Sequence, residues 1–313
     1  MMKHILITGG AGFIGSNTVQ YALNQGLMVT VVDSFECSAV PAELLEKLGA
    51  RVLKMDIRDS QSLKEIYEKY DAIIHLAAQV SVPKSIQEPE HNHSVNINGT
   101  ENVLDLAQRN GVKRFIFASS SAVYGDCETI PLCENYRGEI QSPYAQSKLE
   151  MEKVIHAQFK QGAECLSLRF FNVYGPNQKF DSSYGAVVPN FINLLTKGIQ
   201  PTIYGSGKQS RDFVHVRDVA GLLVDLAVRE WNNRIKSVYN VGTGTSVSVN
   251  ELASLIHKLT HSKTKLEPKF EPERMGDIQH SLASITAISG DLNWKPEISL
   301  QEGLEELIEV YSR

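Results

Sequence analysis

Tyr144 and Lys148 stand four residues apart in Tyr144-Ala145-Gln146-Ser147-Lys148, one turn along the same face of a helix. That pairing has a chemistry. A phenol with its ordinary pKa near ~10 is a poor base at neutral pH, and a neighbouring ammonium favours the phenolate. The spacing alone is a common accident. It gains weight from a hydroxyl-rich segment upstream, Ser119-Ser120-Ser121-Ala122-Val123-Tyr124-Gly125, and from a glycine pattern near the start of the chain.

In Thr8-Gly9-Gly10-Ala11-Gly12-Phe13-Ile14-Gly15-Ser16, Gly9, Gly12 and Gly15 recur every three residues where an apolar run turns into a helical pattern. The first permits a tight turn and the second lets backbone approach a pyrophosphate. The third lets helix and strand pack closely, with the anion at the helix N-terminus beside Phe13 and Ile14. The next apolar run ends at Asp33, eighteen residues past Gly15, where a carboxylate can accept from the ribose hydroxyls of an adenosine. A phosphate there would be repelled. Ser34 to Ser38 contain no Lys or Arg to neutralise one, so the residues favour NAD over NADP. An oxidised nicotinamide would join Lys148 in favouring the Tyr144 phenolate.

These groups need elements to position them. Apolar runs at Ile5–Thr8, Val29–Val32, Val52–Met55 and Ile73–Leu76 alternate with helical patterns at Ser16–Gln25, Pro41–Leu48 and Ser60–Tyr70. Further strands at Phe115–Ser119 and Cys165–Phe170 follow helices near Val95–Arg109 and Pro143–Lys160. Runs with no polar face are buried on both sides, so the expected fold is α/β, a doubly wound parallel sheet of Rossmann type. Asp56-Ile57 and Leu76-Ala77-Ala78 then lie at strand C-terminal ends, where such sheets hold ligands. After Asn172 the pattern loosens into a smaller C-terminal α/β lobe. Phe213–Val216 and Val238–Val241 read as returns to the main sheet. The expected division is 1–171 for the dinucleotide domain, with a return at about 212–243, and 172–211 with 244–313 for the substrate lobe.

Composition narrows the classes of function. With 313 residues and 42% hydrophobic content the chain can bury a core without disulfide or metal, which excludes disorder. The four cysteines show no C-x-x-C pair or metal spacing and read as reduced thiols of a cytoplasmic protein. Lys3 leads straight into Ile5-Leu6-Ile7 without a signal-peptide pattern, and no run reaches the ~18 apolar residues of a membrane span. A net charge of −5 without basic blocks argues against a nucleic-acid partner. Of the histidines, His75 ends a buried strand and reads as packed core, while His91 and His93 read as surface residues.

Taken together, the motifs resemble the extended short-chain dehydrogenase/reductases, in the nucleotide-sugar epimerase and dehydratase branch. The likeness runs from Lys3 to about Tyr311. It extends through Asn96-Ile97-Asn98-Gly99-Thr100, Arg169-Phe170-Phe171-Asn172-Val173-Tyr174-Gly175-Pro176, Ser210-Arg211-Asp212-Phe213-Val214-His215-Val216 and Arg274-Met275-Gly276-Asp277. The resemblance implies bound NAD, a UDP-sugar substrate and a homodimer packed through helices near residues 95–110 and 144–160. It makes Tyr144 the base, Lys148 its partner and nicotinamide-ribose ligand, and Ser120 the hydroxyl shared with the sugar. Ser119 and Ser121 are the neighbouring alternatives. Asn98 and Phe171 are implied at the cofactor, Asn172 and Val187 beside the substrate, and Arg211 and Arg274 on its diphosphate.

Dehydratases and decarboxylases of this family carry acidic residues between the catalytic hydroxyl and the Val-Tyr-Gly element. Ser121 and Ala122 stand there in this chain, which points to a 4-epimerase working through a transient 4-keto sugar. Ser281 occupies the place where epimerases restricted to plain hexoses carry a tyrosine, and the loop Gln178–Ala186 resembles that of enzymes preferring UDP-N-acetylglucosamine. The expected substrates are therefore UDP-N-acetylglucosamine and UDP-N-acetylgalactosamine. Val80 and Lys179 depart from that group's pattern. UDP-glucose/UDP-galactose and UDP-glucuronate are the alternatives, the last because Ser120, Ser121 and Lys84 could meet a carboxylate. Lys84 could equally contact cofactor phosphate or stand in solvent. A dehydratase, a decarboxylase or a non-catalytic NAD sensor complete the field.

Overall fold

Strands apolar on both faces must be covered on both sides, and the chain does this with helices. In the computed structural model, which describes residues 2–179, 187–261, 265–273 and 278–311, six such strands open the fold. They are β1 (His4–Thr8), β2 (Met28–Asp33), β3 (Arg51–Lys54), β4 (Ala72–His75), β5 (Arg114–Ser120) and β6 (Glu164–Phe170). With the later strand Val238–Val241 they form a seven-stranded parallel sheet, ordered β3-β2-β1-β4-β5-β6 and then Val238–Val241. The order reverses between β1 and β4, the switch point at which such sheets open a crevice at their carboxyl ends.

Two hydrophobic clusters cover the sheet. One contains Val19 and Ala22 of the helix Phe13–Asn24 with Val219, Leu222 and Leu223 of the helix Val216–Val228. The other contains Val103 and Leu106 of the helix Gly99–Arg109 with Met151 and Ile155 of the helix Pro143–Lys160. A third cluster, including Phe191, Ile192, Leu252, Ile256, Leu304 and Leu307, forms the core of the C-terminal lobe.

The structure departs from the expected elements in three places. Phe213–His215 does not join the main sheet. It pairs in parallel with β7 (Asn172–Tyr174), because Val238–Val241 already occupies the edge of β6. The helix expected over Ser60–Tyr70 stops at Lys64, and Asn110 Nδ2 captures the carbonyls of Ile66 and Glu68 that a longer helix would use internally. The helix around Val95 opens with a π-helical turn, Ser94–Asn98, before continuing as α-helix from Gly99.

Asp212 joins the two lobes. Its carboxylate is fully buried and accepts from Thr243 N and Oγ1, both at 2.7 Å, from Gly244 N at 3.0 Å and from Ala283 N at 3.1 Å. Removing it strands the buried Ala283 N, while Thr243 N and Gly244 N, on partly exposed and exposed residues, can turn to water. Asp212→Ala should therefore lose about 1–3 kcal/mol of stability in urea unfolding, the cost of one unsatisfied buried donor.

Candidate functional site

At the start of the crevice, Gly9 N donates to Val32 O at 2.8 Å and Gly12 N to Gly9 O at 3.1 Å. Gly9 has φ +69°, and a Cβ on it would sit 2.6 Å from Ala77 N. A Cβ on Gly15 would run into the carbonyl of Gly9. Helix and strands therefore meet backbone to backbone, as the sequence pattern requires. No side chain caps the helix that starts at Phe13, so its first N–H groups and positive dipole end are left for an anion.

Asp33 has two tasks. Its Oδ2 accepts from Ala11 N at 2.9 Å and its Oδ1 from Phe35 N at 2.8 Å, which ties the glycine loop to the turn after β2. Each oxygen keeps a lone pair for a ribose hydroxyl. Arg58, which no sequence motif singles out, lines the same end. It is committed to Asp56, with Nε–Oδ2 2.9 Å, and to Glu36 Oε1 at 3.2 Å, so it does not make a free phosphate subsite beside Asp33. The Arg58 hydrogen bond holds the Asp56 carboxyl below the usual carboxylate range.

The opposite end is built by the end of β5 and the helix Pro143–Lys160, whose first turn is capped by Ser142 Oγ accepting from Ala145 N at 3.2 Å. Tyr144 N donates to the buried Ser85 Oγ at 3.2 Å. Ser120 Oγ accepts from Ala122 N at 3.2 Å and lines the cavity with the Tyr144 phenol. Lys148 Nζ donates to Ala118 O at 2.8 Å and lies 4.8 Å from the Phe117 ring centroid and 6.0 Å from that of Tyr144. Burial raises the Tyr144 phenol above its ordinary value, with the Ser120 hydroxyl pulling it back. Burial also lowers the Lys148 ammonium to about 7, against the charge of Glu152, which raises it. The chain by itself thus disfavours charge on both groups. Ser119 turns elsewhere, donating to Glu152 Oε1 at 2.5 Å.

One cavity of about 740 Å³ gathers most of the expected residues. Gly9, Gly12, Phe13, Ile14 and Gly15 line it, with the strand ends Asp33, Asp56-Ile57 and Leu76-Ala77-Ala78. Ser120, Tyr144, Lys148, Phe171 and Asn172 line its other end. Lys84 and Lys179 also line it, Lys84 at 3.7 Å from Glu88. So does His91, which is partly exposed, whereas His93 is exposed and outside the lining.

Asn98 is not brought there. The π-helical turn exposes it, and the buried asparagine is Asn96, which accepts from Gln79 N at 2.8 Å and donates to Gln79 O at 3.0 Å and Ser147 Oγ at 3.2 Å. Val187, at the start of the helix Val187–Thr196, is also outside the lining. Arg211 and Ser281 lie outside it too, next to one another: Ser281 N donates to Ser210 O at 3.0 Å, and Arg211 Nη1 donates to the same carbonyl at 2.9 Å. Arg274 and the loop segment 180–186 lie outside the described residues. His75 is packed core, as expected: its Nδ1 meets Thr8 Oγ1 at 2.6 Å and its Nε2 meets Thr100 Oγ1 at 2.9 Å, and burial lowers it to about 3. Among the described residues no cluster of three metal-ligating side chains occurs, and no helix is long and apolar enough to cross a membrane.

A parallel sheet ordered in this way, with a glycine-lined helix N-terminus at one side of its switch point and a Ser/Tyr/Lys group at the other, defines an extended short-chain dehydrogenase/reductase. Residues 5–242 match the sequence model of the NAD dependent epimerase/dehydratase family, and the chain belongs to that family. A UDP-N-acetylglucosamine 4-epimerase from Methanobrevibacter ruminantium, solved with UDP-N-acetylmuramic acid, is 34% identical with TM-score 0.91, covering 99% of this chain and 98% of its own. The UDP-glucose 4-epimerase of Thermotoga maritima, solved with UDP-glucose, is 33% identical with TM-score 0.91 over the same shares, 99% and 98%. A UDP-N-acetyl-alpha-D-glucosaminuronate decarboxylase of Bacillus cytotoxicus is 32% identical over 324 residues, 99% of this chain and 98% of its own. The cofactor is NAD, and the uncapped helix end, the close glycine contacts and the open lone pairs of Asp33 fit it.

The buried lysine has a consequence for stability. An unfolded lysine titrates near ~10.4, and Lys148 in the folded chain titrates at about 7. The unfolded chain therefore binds more protons between these values, and stability rises with pH across that window. Cofactor-free Lys148→Met should melt higher than the parent below pH ~7, with the margin closing toward pH ~10. A margin constant across that range in thermal melts would contradict the buried-amine account.

Proposed function

We propose that this protein is a UDP-sugar 4-epimerase acting on UDP-N-acetylglucosamine and UDP-N-acetylgalactosamine. The observation carrying the reaction type is the catalytic end of the cavity. Its proton-handling groups are Tyr144, Ser120 and Lys148, while the carboxylates among the described lining residues, Asp33, Glu36 and Asp56, follow β2 and β3. Expulsion of water needs a further acid and base at the sugar. Ser121 and Ala122 do not provide them.

In this reading the glycine-loop helix end holds the cofactor pyrophosphate and Asp33 the adenosine ribose. NAD, when bound, accepts a hydride from the sugar and returns it. Tyr144 takes the proton of the sugar's 4-hydroxyl through a hydrogen bond shared with Ser120, and restores it at the end. Lys148, held by Ala118 O, binds the nicotinamide ribose and offsets charge on the phenolate. Between the two transfers the 4-keto sugar turns about its diphosphate tether, which Arg211 and Arg274 grip. Phe171 stands against the cofactor, and Asn172 and Val187 against the sugar. Ser281 leaves room for an acetamido group. The working form is a cytoplasmic homodimer packed through the helices Gly99–Arg109 and Pro143–Lys160.

The relatives support a UDP-sugar at this site, since the two solved epimerases carry UDP-sugars. Plain hexose and uronate substrates are the competing readings. The uronate reading draws on Lys84, which lines the cavity, and on the decarboxylase relative named for a glucosaminuronate.

Incubation with UDP-N-acetylglucosamine should give UDP-N-acetylgalactosamine at equilibrium, and Tyr144→Phe should cut turnover by about 10²–10⁴, the range for a lost acid–base group. Absence of the epimer, or a pentose or 4-keto-6-deoxy product in its place, would refute the assignment. Ser281→Tyr should lower kcat/KM for the acetamido sugar at least on the order of tenfold more than for UDP-galactose. Equal losses would show that Ser281 does not face the sugar.

A further inference from the structure

The end of β5 and one face of the helix Pro143–Lys160 meet residue for residue. Ser120 and Tyr144 line one cavity, Ala118 O takes Lys148 Nζ at 2.8 Å, and Ser119 Oγ donates to Glu152 Oε1 at 2.5 Å. Tyr144, Lys148 and Glu152 are spaced by four, so they form one ridge of the helix. Glu152 is 6% exposed and its carboxylate is held from both sides by Arg169, Nε–Oε1 2.9 Å and Nη2–Oε2 2.7 Å. Arg169 is fully buried, stands opposite Ser119 in the β5–β6 register, and donates its Nη1 to Glu134 O at 2.8 Å. Burying two charges costs several kcal/mol per ion before their attraction is counted, and apolar residues would pack the same space as well. The pair sits one helical turn from Lys148.

We propose that Glu152 is a positioning residue for the reaction, fixing the helix ridge that carries Tyr144 and Lys148 and supplying the negative charge that faces the buried lysine. This role rests on the proton chemistry proposed for Tyr144 and Lys148. Around Lys148 its own helix offers Tyr144 and Glu152, β4 offers His75, held neutral, and β6 offers Arg169 through Glu152. From β5 it meets only the Phe117 ring and the Ala118 carbonyl. Glu152 is the anion whose charge acts on the buried amine, and the packed segments Val82–Gln87 and Pro89–His93 bring Lys84 and His91 to the same cavity. Neutralising it leaves Arg169 as an unbalanced cation nearby, so the charged lysine becomes harder to form; the phenolate then loses that ammonium, one helical turn away, and gains only the field of Arg169 beyond position 152, two turns away.

The test is the pH dependence of kcat of the NAD-loaded enzyme, together with melting temperature and the NAD retained on purification. Glu152→Gln should move the acid limb upward by about one pH unit, with turnover roughly tenfold lower at neutral pH and recovered at high pH. Glu152→Asp should keep the limb in place. Glu152→Gln/Arg169→Gln, neutral as a pair and usable if the single variant does not fold, should show a smaller upward shift with NAD retained. A loss uniform across pH, or an unmoved limb in the double variant, would overturn the proposal and leave Glu152 a structural residue. Tyr144→Phe serves as the control: full turnover in that variant would refute the underlying proton chemistry, separately from the role of Glu152.

Discussion

The close approach of Gly15 to the carbonyl of Gly9 is the constraint on which the site depends. With a side chain at Gly15 the helix Phe13–Asn24 would have to move off the strands, and its uncapped N-terminus would no longer open into the crevice between β1 and β4. The same contact sets Asp33. Its Oδ2 takes Ala11 N, a residue of the glycine loop, so the acid proposed to meet the ribose also holds the loop in shape. Loss of either partner disturbs the other.

At the other end the controlling physics is burial. Tyr144 and Lys148 lie under the surface, where both charged forms are disfavoured, and the chain offers counterweights: the Ser120 hydroxyl for the phenol, and Glu152, the Ala118 carbonyl and the Phe117 ring for the amine. The charge states of both groups therefore depend on what else occupies the cavity, and NAD would bring a charge of its own.

Much of this is legible in the sequence, and the reason is chemical. Continuous apolar runs bounded by turn residues read as strands covered on both faces, which fits β1, β2, β4, β5 and β6, and Gly9 and Gly15 mark places where a Cβ would collide. Legibility ends where a residue's place depends on neighbours distant in the chain. Phe213–Val216 has the composition of a sheet strand, but the edge of β6 it would need is taken by a segment that comes later. The resemblance implies Asn98 at the cofactor, but a π-helical turn over Ser94–Asn98 leaves Asn98 exposed and Asn96 buried. The commitment of Arg58 to Asp56 and Glu36 has no sequence signal beyond the nearness of Asp56. The three adjacent serines are separated only by the tertiary contact of Ser119 with Glu152, which no local pattern records.

The interleaving of the two lobes comes from the same edge competition. Because Val238–Val241 closes the sheet after the chain has already built β7 and Phe213–His215, the polypeptide crosses between lobes more than once, and Asp212 sits at the crossing. Its bonds to Thr243, Gly244 and Ala283 gather three such passages at one carboxylate. Arg211 precedes it directly, and Ser281 lies two residues before Ala283. The residues read as facing the diphosphate and the sugar are therefore carried by the segment that couples the lobes. A carboxylate bonded in this way ties the segments carrying Arg211 and Ser281 to the strand Val238–Val241 that closes the sheet, so neither can shift without disturbing the bonds of a fully buried residue.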